Sequence, residues 1–333
     1  MKVAVLSFAH ERAAAYARLL HSMPGVDLVI ADPDGAPDDP DRGRAVAREL
    51  GATYADGWDE VFALRPEAVV VTSEVARRRE LVERAAGAGA QVLCEQPMAV
   101  AEADAEAMVR ACEDAGVRLT LVSPACFSPA FAAVRRGLAD GEPLGRLTTL
   151  HGAYNSPATG GAEGDGALGA RAAVLLDMVD AVLGGAAPEQ VYAQTNSLLS
   201  AEPGVESAAL VSVRYADGTV ASIDCSWSLS GRHSAVSGPA MTFIGDRAGA
   251  EFNARPRLLG GFDAATDGER WEPGGADLYA VMLGEFVAAV GTGQPLGPDG
   301  AAGLRTLRII EAARASARTG QPVDMTAPTL ARP

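Results

Sequence analysis

Residues 1–32 read MKVAVLSFAHERAAAYARLLHSMPGVDLVIAD. Val3-Ala4-Val5-Leu6 is an apolar run of strand length, Ala13–Leu20 carries a helical pattern, and Val26–Ala31 is a second apolar run. Strand, turn, helix and strand in this order make a βαβ unit, whose two strands lie parallel in one sheet.

The pattern continues outward from this stretch. Arg42–Leu50 is helical, with Gly51 suited to the position just past its end. Ala68–Val71 is an uninterrupted apolar run, as befits a strand buried on both faces. Glu80–Ala88 is helical, Val92-Leu93-Cys94 a strand, Ala101–Ala115 a helix and Arg118–Val122 a strand. The character changes near Ser123. A helix at Pro129–Ala139 leads to a strand at Leu147–His151, a glycine-rich loop at Thr159–Gly169 and a helix at Leu168–Leu183. Val191–Leu198, Ala208–Tyr215 and Val220–Trp227 are extended, the last two joined by the hairpin dipeptide Asp217-Gly218. Met241–Ile244 and Glu251–Asn253 continue the extended pattern, helices at Leu278–Val290 and Gly300–Thr319 follow, and Thr326–Pro333 is a frayed tail. The expected fold class is α/β: a Rossmann-type parallel sheet over residues 1–122, then an α+β domain over 123–333 with a mainly antiparallel open sheet.

Composition narrows the function. The chain has 333 residues and a formal charge of −15, which argues against nucleic-acid and anionic-membrane partners. The apolar run at the amino terminus is too short for a signal peptide, and no stretch of about 18 apolar residues predicts a membrane span. Cys94, Cys112, Cys126 and Cys225 fit no zinc spacing and read as reduced thiols, so the expectation is a cytoplasmic protein without a metal. Lys2 is the only lysine, so no interior lysine is available as an acid or base.

The turn after the first strand is where a pyrophosphate would meet a helix N-terminus. Ser7-Phe8-Ala9-His10-Glu11-Arg12 stands there in place of the glycine pattern G-x-G-x-x-G. Ser7 and Ala9 are small enough for partial backbone approach, His10 is placed to orient the loop or cofactor, and Arg12 is available to a phosphate. Asp32, closing the second strand, stands where a carboxylate binds the ribose 2′-hydroxyl, and no arginine adjoins it in sequence to hold a 2′-phosphate. The expected cofactor is therefore NAD, with NADP less favoured. Each signal has a plainer account: the loop as an ordinary strand–helix turn, and Asp32 as part of the turn Asp32-Pro33-Asp34-Gly35.

Leu93-Cys94-Glu95-Gln96-Pro97 resembles the L-C-E-K-P signature of the glucose–fructose oxidoreductase/inositol dehydrogenase (Gfo/Idh/MocA) family. The preceding Ala88–Val92, Phe127-Ser128-Pro129, Pro143–Arg146, Asp177–Gly184 and Glu311–Val323 are similar to family segments in order and spacing, and Ala9-His10 with Tyr16-Ala17 resembles one branch's first loop. The resemblance implies NAD(P)-linked redox chemistry on sugars, polyols or related small molecules. It also implies a substrate lying between the domains and a homodimer or homotetramer formed through the open sheet. It adds Thr72, Glu95 and Pro97 to the cofactor set.

The departures fall on the chemistry. The lysine of E-K-P is Gln96, which donates a hydrogen bond but transfers no proton at neutral pH. The aspartate of the family's H-x-x-D matches Asp177, but its histidine matches Val174, and an upstream aspartate is Ala170. The arginine before Phe127 is Cys126, and an asparagine and a histidine after the third strand are Glu74 and Arg78. Tyr154 and His151 are the replacement acid candidates, with Gln96 and Asp177 as substrate-contacting groups; His233 is a weaker candidate. Cys126 has no base beside it in sequence and reads as inert. Three readings remain open: a redox enzyme with a rearranged acid–base set, a non-redox lyase, epimerase or cyclase on the same scaffold, and an inactive binding or partner subunit.

Overall fold

A computed structural model describes residues 1–36, 38–139, 144–156, 166–202, 204–227, 238–254, 257–263 and 268–326. The chain forms two compact units, Met1–Pro124 with Leu278–Arg305, and Ala125–Asp277 with Thr306–Pro333. The stretch Leu278–Arg305, placed in the second domain by the sequence reading, thus packs in the first unit.

The first unit is built on a six-stranded, all-parallel sheet: β1 Lys2–Leu6, β2 Asp27–Ala31, β3 Thr53–Ala55, β4 Ala68–Val71, β5 Gln91–Cys94 and β6 Leu119–Leu121. Their spatial order is β3-β2-β1-β4-β5-β6, which reverses direction of travel at β1, where dinucleotide-binding sheets place their ligand. Every residue of β4 is buried, so both faces of the central sheet are covered. The crossovers are α1 Ala13–His21, α2 Gly43–Leu50, α3 Trp58–Ala63, α4 Val75–Gly87 and α5 Glu102–Ala115. Gly51 and Gly116 end α2 and α5 in left-handed conformation, with φ of 65° and 67°. In the same unit, α8 (Leu278–Thr292) is tied to β6 through Arg118, whose guanidinium donates to the carbonyls of Ala289 and Gln294.

The second unit holds a mixed, mostly antiparallel sheet of seven strands in the order β12-β11-β7-β10-β9-β8-β15. These are β7 Leu147–Asn155, β8 Pro188–Asn196, β9 Ala208–Tyr215, β10 Val220–Ser226, β11 Ala240–Gly245, β12 Gly249–Asn253 and β15 Val323–Asp324. The parallel pair is β7 with β10, and a separate hairpin joins β13 (Arg257–Asp263) to β14 (Gly268–Gly274). Strict alternation in β9 sends Ala209, Val211, Val213 and Tyr215 to one face and exposes Leu210, Ser212 and Arg214 on the other. The helices of this unit are α6 (Pro129–Ala139), α7 (Ala173–Leu183) and the longer part of α9 (Gly300–Thr319). The covered face packs on α7: Gly152 of β7 leaves room for Leu175, and a Cβ there would lie 3.2 Å from it. The other face is open and carries the exposed side chains of Tyr192, Leu210 and Ile244.

The glycine-rich loop expected at Thr159–Gly169 lies outside the described residues over 159–165, and its last residues are helical rather than loop. Leu168–Ala172 is a π-helical turn that runs into α7. His233 and the end of the expected frayed tail, residues 327–333, also lie outside the described residues.

Candidate functional site

The loop after β1 is pinned from both sides. Ser7 N–H donates to Ala31 O at 2.7 Å, His10 N–H donates to Thr72 O at 3.1 Å, and the buried Thr72 hydroxyl donates to Ser7 O at 2.7 Å. Ser7 sits at φ 71°, the left-handed region that the first glycine of the usual fingerprint takes without strain. The N-cap position of α1 is Arg12, with no side-chain cap and no acid in the first turn, so the helix end is not already satisfied by an anion of its own. Arg12 itself stacks its guanidinium 4.4 Å from the centre of the Tyr279 ring of α8.

Behind the loop lies a buried acid. Glu95, 4% exposed, accepts the Tyr16 hydroxyl at 2.5 Å on Oε1 and the Gln96 N–H at 3.0 Å on Oε2. Burial, followed by the charge of Glu95, pushes the Tyr16 phenol well above its usual range. His10 Nδ1 accepts the Arg12 N–H at 3.3 Å and lies 3.5 Å from Glu95 Oε1, a contact that becomes an ion pair only in the protonated ring. The carbonyl side of the same segment is clamped by Arg78. Its buried guanidinium donates to Ser73 O at 3.1 Å, to Glu95 O at 3.0 Å and to Pro97 O. Arg78 thus holds Glu95-Gln96-Pro97 in place.

Asp32 closes β2 where expected and is 2% exposed. It is already fully engaged. Oδ1 accepts Phe8 N–H at 3.1 Å and Arg42 Nη2 at 2.8 Å; Oδ2 accepts Arg42 Nε at 2.8 Å and Gly43 N–H at 2.9 Å. The backbone comes this close because position 43 is glycine: a Cβ there would lie 2.6 Å from Asp32 Cβ. The premise that no arginine stands beside Asp32 holds only along the chain; the turn after β2 brings Arg42 onto it in space.

The first unit fits a dinucleotide at its pyrophosphate end, through the left-handed Ser7, the small Ala9 and the uncapped start of α1. At its ribose end the expected carboxylate is present with a cation already on it.

In the second unit, Tyr154 and Asp177 stand on the covered side and His151 does not. Leu150 and Gly152 of β7 are buried against the helices, so His151 between them is exposed on the open face. Tyr154, three residues on, projects from the other face. The buried Arg171 of the π-helical turn lies 5.1 Å from the Tyr154 ring centre and donates through Nε to Ser156 Oγ at 2.7 Å. Sequence reading missed Arg171; its mark is structural, a helix that widens to a π turn before α7, and such turns are frequent at functional sites. Asp177 is fully buried in α7 and accepts the Thr306 hydroxyl at 2.9 Å. The four cysteines are buried thiols. Burial raises Cys94 and Cys225 to about 12 and Cys112 to about 11. Among the described residues, no group of three or more His, Cys, Asp or Glu side chains is arranged to hold a metal, and no helix is long and apolar enough to cross a membrane.

A parallel sheet with its crossover at β1, a pinned turn leading into an uncapped helix, and a carboxylate ending β2 define an NAD-binding Rossmann domain of the oxidoreductase type. Residues 36–123 match the family model described as "Oxidoreductase family, NAD-binding Rossmann fold", and residues 155–325, more than half of the chain, match the "Oxidoreductase family, C-terminal alpha/beta domain". The chain belongs to the Gfo/Idh/MocA oxidoreductase family.

Among its relatives, it is 39% identical to the D-apiose dehydrogenase of Paraburkholderia graminis over 105 residues, a match that spans 31% of this chain and 28% of that one. It is 28% identical to D-xylose 1-dehydrogenase (NADP(+)) 2 of Haloferax volcanii over 302 residues, 85% of this chain and 89% of the other. The crystal structure of GenD2 from gentamicin A biosynthesis, in complex with NAD, superposes with a TM-score of 0.83 at 24% identity, covering 98% of this chain and 97% of GenD2.

Proposed function

We propose that this chain is an NAD-dependent oxidoreductase acting on a sugar-like or specialised-metabolite alcohol, with an acid–base set different from the family's usual lysine and histidine. The observation that supports the reading is the match of the chain to both oxidoreductase family models together with a parallel sheet whose strand order reverses at β1. The relatives' names, a D-apiose and a D-xylose dehydrogenase, support a polyhydroxylated substrate.

Bound NAD supplies the hydride acceptor. The rest is done by the chain. The start of α1 and the loop Ser7–Arg12 bind the diphosphate, with Thr72 holding the loop and Glu95 with Pro97 holding the segment that presents Gln96. Gln96 donates a hydrogen bond to the reacting oxygen, and its amide cannot take the proton. Tyr154 is the proton-carrying group of the proposal. Its ring is fixed by Arg171, and its hydroxyl both donates and accepts. Asp177, buried, accepts the Thr306 hydroxyl and ties α7 to α9. Self-association through the open sheet face is part of the same proposal, supported by the exposed Tyr192, Leu210 and Ile244. A cytoplasmic setting is part of the same proposal, supported by four buried thiols outside any disulfide.

The test is turnover of a panel of aldopentoses, aldohexoses and cyclitols, followed by nicotinamide absorbance. NADH formed in proportion to substrate supports the reading, and Tyr154→Phe then lowers the rate by about 10²–10⁴-fold while NADH binding is unchanged, as loss of an acid–base group requires. A Tyr154→Phe enzyme with full activity removes Tyr154 from the mechanism. A second reading, a non-redox enzyme on the same scaffold, is favoured by Gln96 and Val174 standing where the family carries its proton-transfer groups. Substrate turnover with no net change in nicotinamide absorbance selects it.

A further inference from the structure

The geometry points to Arg42 as the residue that sets dinucleotide preference, by occupying Asp32 and so removing the discrimination between NAD(H) and NADP(H). This inference rests on the dinucleotide reading above.

A carboxylate has two oxygens and about four acceptor positions. At Asp32 all four are filled, two by the backbone amides of Phe8 and Gly43 and two by Arg42. The amide donors belong to the loop after β1 and to the start of α2, so they leave only if those elements move. The side chain of Asp32 is 1% exposed, against 19% for Arg42, so a ligand arriving from solvent meets the guanidinium first. A ribose 2′-hydroxyl would have to displace Arg42 from a two-point, charge-assisted pair.

Ordinary exclusion of a 2′-phosphate at this position is like-charge repulsion from the carboxylate. Here that charge is paired. Arg42 spends two of its five guanidinium N–H groups on Asp32, and its guanidinium makes no other hydrogen bond among the described residues. The remaining three are the natural partners of a phosphate. Gly35 packs against one edge of the pair: a Cβ there would sit 2.2 Å from Asp32 Oδ2 and 2.6 Å from Arg42 Nε. Asp39 and Glu74 lie close enough to act electrostatically on Arg42, which limits any positive excess. The consequence is loss of NAD selectivity rather than a reversed preference for NADP.

The experiment is calorimetric titration of the purified, nucleotide-stripped full chain with NADH and NADPH, alongside Arg42→Met, which keeps most of the apolar stem. The wild-type dissociation constants are expected within about tenfold of each other, a difference of no more than 1.4 kcal/mol. In Arg42→Met, NADPH binding weakens and NADH binding tightens, shifting the ratio by at least about tenfold toward NADH. A wild-type protein that prefers NADH by more than about a hundredfold overturns the inference without needing the variant. So does a folded Arg42→Met protein with an unchanged ratio. If neither nucleotide binds, both this inference and the dinucleotide reading beneath it are overturned; if only the ratio fails, the dinucleotide reading stands.

Discussion

Replacing Tyr16 by phenylalanine removes one oxygen from the interior of the first unit and tests how the loop segment Glu95-Gln96-Pro97 is held. The Tyr16 side chain is 1% exposed and its hydroxyl donates to Glu95 Oε1 at 2.5 Å. A hydrogen bond to a charged group contributes about 1.5–3 kcal/mol. After the substitution Oε1 keeps only the His10 contact at 3.5 Å. The expected cost is therefore about 2 kcal/mol at pH 8, or a fall in Tm of about 4–8 °C for a unit of this size. The pH dependence follows from the raised phenol. Its folded value lies above the unfolded value of 10.0, so its contribution is fully present below pH 10 and is lost as pH rises further. One proton of difference changes stability by about 1.4 kcal/mol per pH unit. The gap between wild type and Tyr16→Phe should thus narrow above pH 10, because only the wild type loses that contribution. The assay is thermal and urea denaturation across pH 8–11, followed through a probe in the first unit. A Tm within about 1 °C of wild type at pH 8, or a gap that widens with pH, would refute the reasoning.

Arg78→Met should be the more damaging change, since it strands the carbonyls of Ser73, Glu95 and Pro97. A loss of at least about 3 kcal/mol is expected, read as a Tm drop or as failure to accumulate folded protein, and a neutral variant would contradict the clamp. The Cys94 thiol is raised from 9.0 to about 12 by burial. Its contribution is present below pH 9 and lost between about pH 9 and 12, so Cys94→Ala should be modestly destabilised at pH 7 and flatter than wild type on the alkaline limb; parallel alkaline limbs would contradict this.

The parallel sheet was legible because its strands are continuous apolar runs separated by helical patterns, and Ala68–Val71 shows why: every side chain in it is buried. Thr53–Ala55 escaped reading because three residues at a sheet edge carry no period. The second sheet was legible where alternation was strict, as at Ala208–Tyr215, and truncated where small residues blur it, as at Ala153 in Leu147–Asn155. Alternation also separates His151 from Tyr154, since positions three apart on a strand face opposite ways. At the ribose end, Asp32 is visible in sequence as a carboxylate after a strand. Its partner is not, because Arg42 reaches it only through the fold of a ten-residue turn closed by Gly35 and Gly43. The role of Arg78 was hidden for the same reason: its acceptors are backbone carbonyls, which leave no mark on side-chain identity.

The most direct test of the account is calorimetric titration of the nucleotide-stripped protein with NAD⁺ and NADH. Saturation at one dinucleotide per chain, with a dissociation constant in the micromolar range, is the predicted result. No binding of NAD⁺, NADH, NADP⁺ or NADPH at millimolar concentration would contradict it and leave the Rossmann unit without the ligand its fold is built to hold.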